Sequence, residues 1–184
     1  MDGGGDDHVA PAANPILLMR YPLFLDLAGQ PVVVVGAGRV GTRKIRTLLG
    51  TGAVVTVISP RGSATIRRMA EAMDVNWVRR RYRRGDLNGA RLAIAATDDV
   101  GVNELVCEEA KRRKLLINCV APPSAGNFIV PAQARRGGIT LAISTGGASP
   151  AFAKQLRRDL ERFLSREYPE LLKRMSAARR ATKA

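Results

Sequence analysis

Gly36, Gly38 and Gly41 stand at the G-x-G-x-x-G spacing, directly after the apolar run Pro31-Val-Val-Val-Val35. That spacing suits one kind of chemistry. The first glycine permits a tight turn, the second lets a pyrophosphate approach the backbone, and the third lets helix and strand pack closely. The amide N–H groups that open the following helix lack intrahelical partners and face an anion, helped by the helix dipole. Arg39 and Val40 lie inside the same turn. A glycine turn of this kind also occurs in α/β folds that bind nothing, so its setting decides how it is read. Here it sits between a β-branched strand and an amphipathic helix. Further along, Thr97, Asp98 and Asp99 follow another apolar run, and Thr145-Gly-Gly-Ala-Ser149 forms a second glycine-rich turn.

These groups act together only if regular elements bring them together. Residues 31–35 are too apolar to be exposed on either face and predict a central strand. A helix over 39–49 puts Val40, Ile45, Leu48 and Leu49 on one stripe, with Arg43, Lys44 and Arg46 off it. Gly50-Thr-Gly52 ends it. A strand over 53–58 completes a βαβ unit, whose crossover must be right-handed. A helix over 64–73 and a short strand over 75–78 follow, then a basic, irregular connection through residue 87. A buried strand over 91–96 leads into Thr97, Asp98 and Asp99. One of the two aspartates is expected to cap the next helix, which runs to Lys114. A strand over 115–120 then delivers the loop 121–127. In an open α/β sheet the ligand crevice lies at the strand C-termini, so residues 97–99 and the loop 121–127 should face it.

The end of the second strand bears on the cofactor. NAD sites usually carry Asp or Glu there, bonding the adenosine ribose. This chain has Ser59, Pro60 and Arg61 instead. Residue chemistry alone leaves NAD and NADP both open.

Beyond Asn127 the pattern changes. Runs at 128–130 and 139–144 are expected to pair as an antiparallel ribbon about a turn at 135–138. Ser149 can cap a helix that Pro150 opens, with Phe152, Leu156, Leu160, Phe163 and Leu164 on one face. Pro169 is expected to interrupt, with a short basic helix closing the chain.

Composition narrows the function classes. The 184 residues suffice for one full domain with a small appendage. No apolar run approaches the roughly 20 residues of a membrane-spanning helix, and no signal peptide is visible, so a cytoplasmic location is expected. Residues 1–14 are rich in Gly, Asp, Ala and Pro, and a disordered leader is expected over 1–20. The single histidine, His8, falls in that leader, which excludes a core histidine base or His-ligated metal. Cys107 and Cys119 have no metal-ligand spacing and read as buried free thiols. The net charge of +14 is spread over several clusters without interleaved aromatics. That distribution favours solvated helix faces or a small anionic substrate over nucleic acid.

The motifs in order are Leu-Phe-Leu-Asp-Leu (23–27), Val-Val-Gly-Ala-Gly-Arg-Val-Gly-Thr-Arg-Lys (34–44), Val-Thr-Val-Ile-Ser-Pro (55–60), Ala-Ala-Thr-Asp-Asp (95–99), Asn-Phe-Ile-Val-Pro (127–131) and Ser-Thr-Gly-Gly-Ala-Ser-Pro (144–150). Together they resemble the siroheme-synthase N-terminal family, the precorrin-2 dehydrogenases, some of which are also sirohydrochlorin ferrochelatases. The resemblance covers residues 21–164. It implies an α/β fold: a Rossmann-like parallel sheet over 21–126, a small β dimerisation segment over 127–148, and a helical C-terminal domain over 149–184. It implies a homodimer with the active site between the parts, NAD as cofactor, and oxidation of precorrin-2 to sirohydrochlorin. Precorrin-2 carries eight carboxylates, which suits a basic protein; neither a membrane nor nucleic acid is expected as a partner. The cofactor positions carried over are Gly36, Gly38, Arg39, Val40, Gly41, Ser59, Pro60, Arg61, Thr97 and Asp98. The substrate positions are Asn118, Asn127, Thr145, Gly146 and Ser149, Thr145 standing where the family has a serine. One position departs: the family's acid/base and chelatase aspartate falls at Ala121. Alanine cannot transfer a proton, so Asp98 and Asp99 become the candidate catalytic carboxylates, and dehydrogenation is expected rather than iron insertion, with no metal site. The alternative is an NAD(H)-sensing module without catalysis.

Overall fold

The computed structural model describes residues 20–164 and 167–182, so the expected leader lies outside the described residues apart from Arg20. Phe24–Ala132 forms one compact unit, and the described residues from Gln133 onward belong to another.

The first unit holds β1 (Pro31–Val35), α1 (Arg39–Leu49), β2 (Val54–Ile58), α2 (Ala64–Glu71), β3 (Val75–Val78), β4 (Leu92–Ala95), α3 (Val100–Arg112) and β5 (Leu116–Cys119), followed by a single 3-10 turn at Pro123–Ala125. The five strands are all parallel, in the order β3-β2-β1-β4-β5. The chain therefore builds outward from β1 to β3, returns to the other side of β1, and builds outward again. The direction reverses between β1 and β4, and that gap is where a doubly wound sheet opens a crevice.

Alternate strand residues feed two apolar layers. Val32, Val34, Val55 and Val57 meet Ile45 and Leu48 of α1 and Ile66 of α2 on one face. Val33, Val35, Ala93 and Ile117 meet Val106 and Ala110 of α3 on the other. Both faces are covered, which is why the strands read as continuous apolar runs rather than alternating ones. Cys107 and Cys119 are buried free thiols in the second layer. Burial, with Cys119 beside it, pushes the Cys107 thiol up to about 12, so it stays un-ionised and unreactive.

The second unit holds β6 (Ala132–Arg136, reaching back one residue), β7 (Ile139–Ile143), α4 (Pro150–Phe163) and α5 (Glu167–Ala181). The ribbon is present, but its first strand is displaced from the expected 128–130. Residues 127 and 128 bond to β5 instead: Asn127 and Phe128 donate their backbone N–H groups to Ile117 O. Phe128 packs on the core of the sheet, so its apolar character reflects that packing and not ribbon pairing. Arg135 and Arg136 belong to the strand, and the turn shrinks to two glycines, with Gly137 at φ +56°. Pro169 does not interrupt a helix. It lies in the first turn of α5, where the missing N–H has no intrahelical partner to lose, so the closing helix runs 15 residues.

One buried carboxylate ties the connection after β3 to α3. Glu109 is 3% exposed and accepts from Tyr82 Oη at 2.6 Å, Arg113 Nε at 2.9 Å and Gly85 N at 3.1 Å. Burial opposes its ionisation, but these donors outweigh burial and hold the carboxyl below the usual carboxylate range. Burial and the Glu109 charge push the Tyr82 phenol upward. A depressed carboxyl contributes stability that is complete above its unfolded value of 4.5 and is lost as pH falls through the folded value. Glu109→Gln should therefore cost about 1.5–3 kcal/mol at neutral pH, as expected for charged hydrogen bonds. It should also flatten the decline on the acid side. Urea midpoints of parent and variant, compared at neutral pH and below the carboxylate range, check both expectations.

Candidate functional site

The glycine turn is built against the end of β4. Gly36 has φ +106°, and a Cβ there would sit 2.4 Å from the Ala96 carbonyl oxygen. A Cβ on Gly41 would sit 2.2 Å from the Gly36 carbonyl oxygen. Gly38 is different: a Cβ there meets no protein atom within 4 Å. Two of the three glycines thus serve packing within the protein, and the third keeps open a space that the protein itself does not fill.

That space belongs to a cleft of about 1090 Å³ at the C-terminal edge of the sheet. The turn at Gly36, Gly38, Arg39 and Val40 forms one wall, Ser59, Pro60 and Arg61 after β2 form a second, and Thr97 and Asp98 after β4 form a third. Of the ten positions expected to hold the cofactor, only Gly41 is absent from the lining; it is buried against Gly36 and shapes the turn from behind. Gly38 caps α1 without a side-chain hydrogen bond, and no acidic residue lies in the first turn. The helix therefore presents unpaired N–H groups and an uncompensated dipole to the cleft. Open space at Gly38, free helix amides and a basic lining fit the pyrophosphate of a dinucleotide.

The wall after β2 is held from behind by Trp77. Its indole Nε1–H donates to Ser59 O at 3.0 Å, and a Cβ on Gly62 would lie 2.8 Å from the ring. Ser59 Oγ donates to Arg61 O at 2.6 Å, closing the loop on itself. Arg61 is exposed at the rim.

Asn103 organises the wall after β4. It is fully buried, and its Oδ1 accepts from Thr97 N at 3.0 Å. Its Nδ2 donates to Thr97 O at 3.1 Å and to Ala121 O at 3.0 Å. One side chain thereby ties the loop after β4 to the loop after β5. Asp99 caps α3 by accepting from Val102 N at 3.1 Å. Asp98 lines the same cleft and is exposed, and among the described residues its side chain makes no hydrogen bond.

The residues expected on the substrate fall in two places. Asn127 accepts from Ile117 N and donates to Leu115 O, both at 2.8 Å, so its amide substitutes for a neighbouring strand along β5. Asn118 Nδ2 donates to Phe128 O at 3.0 Å, while its Oδ1 is buried without a hydrogen-bond partner among the described residues. In the other unit Thr145 Oγ1 lies 3.3 Å from both Ser149 N and Ser149 O, Gly146 takes φ +66°, and Ser149 caps α4 through Phe152 N. Among the described residues no three His, Cys, Asp or Glu side chains form a metal-binding group, and no helix is long and apolar enough to cross a membrane.

The "Putative NAD(P)-binding" family model matches residues 23–132, and the "Sirohaem biosynthesis protein central" model matches 136–162. The chain is 32% identical over 159 residues to a Bacillus subtilis protein named precorrin-2 dehydrogenase, covering 86% of this chain and 98% of that one. The chain belongs to the siroheme-synthase N-terminal family. A siroheme synthase of Chromobacterium violaceum is 37% identical over 164 residues, 89% of this chain but 35% of the relative. The chain thus spans about a third of the length of that larger relative. A solved structure named SirC, precorrin-2 dehydrogenase, superposes with a TM-score of 0.74 at 36% identity, covering 84% of this chain and 76% of that one. The parallel sheet, the small β pair and the C-terminal helices agree with that fold.

Several lining residues escape a motif-based reading. Arg43 and Arg46 line the cleft beside Arg39, and their spacing of four and seven residues from it places all three on one helix stripe. That periodicity is present in the sequence, on the side of the helix away from its apolar stripe. Arg81 and Tyr82 also line it, although their basic segment reads as a solvated connection. Burial, with Arg43 beside it, pushes Lys44 down to about 8. Asn103 has no motif signal beyond its place one turn into a helix that follows Thr97.

The glycines give a separable test. Gly36→Ala and Gly41→Ala should lower the thermal midpoint, by roughly 2–4 °C per kcal/mol lost. Gly38→Val should leave the midpoint within a few degrees and weaken NADH binding about tenfold or more, by filling the pyrophosphate space. Thermal melts and fluorescence titration on the same samples read the two effects independently.

Proposed function

We propose that this chain is a precorrin-2 dehydrogenase, oxidising precorrin-2 to sirohydrochlorin with NAD as the hydride acceptor. The observation that carries the reading is the cleft itself. A built dinucleotide site lies within a chain that matches almost the whole of a protein named precorrin-2 dehydrogenase. The oxidation removes one hydride and one proton from the substrate. The nicotinamide ring supplies the hydride acceptor when the cofactor is bound.

The residues of this chain do the rest. The amides at Gly38, Arg39 and Val40 take the pyrophosphate, with Gly36 and Gly41 setting their position. Ser59, Pro60 and Arg61 take the adenosine ribose. Thr97 is held rigidly by Asn103 beside the route to the reacting end. Asp98 receives the substrate proton, because Asp99 is committed to capping α3. Ala121 carries no acid group, and its carbonyl is bonded to Asn103. Iron insertion, which needs proton acceptance at the pyrrole nitrogens, is therefore not assigned to this chain. Asn118, Thr145, Gly146 and Ser149 are assigned to the tetrapyrrole, while Asn127 pairs with the backbone of β5. The basic composition, +14 overall, favours a substrate with many carboxylates.

A homodimer is part of the same reading. Phe152, Phe163 and Leu171 of α4 and α5 are exposed, at 59%, 64% and 53%. Apolar side chains exposed on the C-terminal helices suit a surface that a partner covers.

Anaerobic incubation of the chain with precorrin-2 and NAD, followed by absorbance, should show sirohydrochlorin forming. No turnover with either NAD or NADP would overturn the assignment. Asp98→Asn should lower kcat by about 10²–10⁴-fold, the usual contribution of a general base, and Ala121→Asp should raise it. If Asp98→Asn leaves kcat unchanged, the base lies elsewhere.

A further inference from the structure

Helix α1 carries Arg39, Arg43, Lys44 and Arg46 and no acidic residue. The three arginines line the dinucleotide cleft, and Lys44 does not. Arg46 donates to Thr65 Oγ1 of α2 at 3.4 Å, which fixes the side of α1 that faces α2. Lys44 precedes Arg46 by two residues, about 200° round the helix, so it lies on the opposite flank. Gly41, one turn earlier, shares that flank and abuts the end of β4: a Cβ there would lie 3.8 Å from Ala96 Cβ. Lys44 is therefore turned toward β4 and β5.

The level along the sheet also matches. Lys44 stands about 4.5 Å along the helix from Gly41, and Ile94 about 6.6 Å back along β4 from Ala96. Ile94 is in register with Asn118 of β5. Ile117 and Cys119 face α3, so Asn118 faces the α1 side, with Leu116 and Val120. On that side α1 and α2 pack over β1, β2 and β3, and no α-helix of this unit packs over β5; Phe128 lies on the core there instead.

Two polar groups on this patch lack partners. Lys44 is half-buried, the charge acting on it is the Arg43 guanidinium, another cation, and no carboxylate pairs with it among the described residues. Asn118 is 7% exposed and donates Nδ2 to Phe128 O, while Oδ1 is buried with no hydrogen-bond partner among the described residues. Each arrangement opposes folding, and an apolar side chain would serve packing better at position 44. A ligand that brings an anion to the ammonium satisfies both groups. Lys44 has three N–H donors, so one serves the amide oxygen while the others meet the anion.

We propose that Lys44 is a substrate-binding residue outside the dinucleotide cleft: in the bound state its ammonium donates to Asn118 Oδ1 and to one carboxylate of the tetrapyrrole. The proposal rests on reading the chain as a precorrin-2 dehydrogenase. It names a specific cation for a substrate whose many carboxylates need them, on a flank of α1 that the cofactor does not use.

Anaerobic equilibrium titration of the full chain with sirohydrochlorin, alongside NADH titration and thermal melts, tests it without turnover. Lys44→Met keeps the apolar stem and removes the charge. It should weaken sirohydrochlorin binding about tenfold and leave NADH binding within about twofold. Its thermal midpoint should stay level or rise, because an unpaired, half-buried ammonium is gone. Lys44→Arg should retain most of the sirohydrochlorin affinity. Asn118→Asp, which gives the ammonium a partner within the protein, should weaken sirohydrochlorin binding about as far as Lys44→Met. Unchanged sirohydrochlorin affinity in Lys44→Met would overturn the proposal and leave the dehydrogenase reading standing. So would a loss that comes with a lowered midpoint and is not restored by arginine, since that marks a packing role. Failure of the parent chain to bind sirohydrochlorin at all would overturn the substrate reading together with the proposal.

Discussion

A carbonyl oxygen occupies the place where a side chain at residue 36 would go. The Ala96 oxygen lies 2.4 Å from that point, and the Gly36 oxygen lies 2.2 Å from the corresponding point on residue 41. This double close approach lets α1 start immediately after β1 and directly above the end of β4. The cleft, the free amides at the head of α1 and the proximity of the glycine turn to Thr97 all follow from it. Were the turn looser, α1 would ride further from the sheet and its N-terminus would no longer face the gap between β1 and β4.

The rest of the cleft is stiffened from outside. Trp77 holds the loop after β2, and Asn103 holds the loops after β4 and β5. Neither residue needs to touch a ligand to matter. Each places backbone groups that would otherwise be free to move, and a preformed site avoids the ordering cost of binding. The buried Glu109 does the same for the segment carrying Tyr82, whose ring lies against the cleft. The unit thus concentrates its buried polar bonds around the strand ends, while the two apolar layers contain few polar groups.

Much of this was legible in the sequence, and the exceptions have physical causes. The five parallel strands and three long connecting helices follow from apolar runs and helical periodicity. Both signals are strong where an element is buried on two faces or on one stripe. The ribbon was harder. Phe128 is apolar because it packs on the sheet core, and apolarity alone does not say which neighbour a side chain packs against. Pro169 suggests a break because proline breaks helix interiors, yet its position in the first turn makes it compatible with α5. Asn127 illustrates the same limit at the site. Its type suits a ligand contact, but its amide pairs with the backbone of β5.

The sequence by itself determined the cofactor class, because glycine spacing and a following amphipathic helix encode a local geometry that needs no distant partner. It also determined the family, through six short motifs in fixed order. Only the tertiary structure decided which glycine leaves room for a ligand and which ones make room for the protein, since that depends on the Ala96 carbonyl, sixty residues away from Gly36. Only the fold separated the two neighbouring aspartates into a cap and a carboxylate that lines the cleft without capping, and gathered five arginines from three segments onto one cleft. Charge opposite charge, and backbone against backbone, are relations between segments, and a chain read in one dimension does not contain their distances.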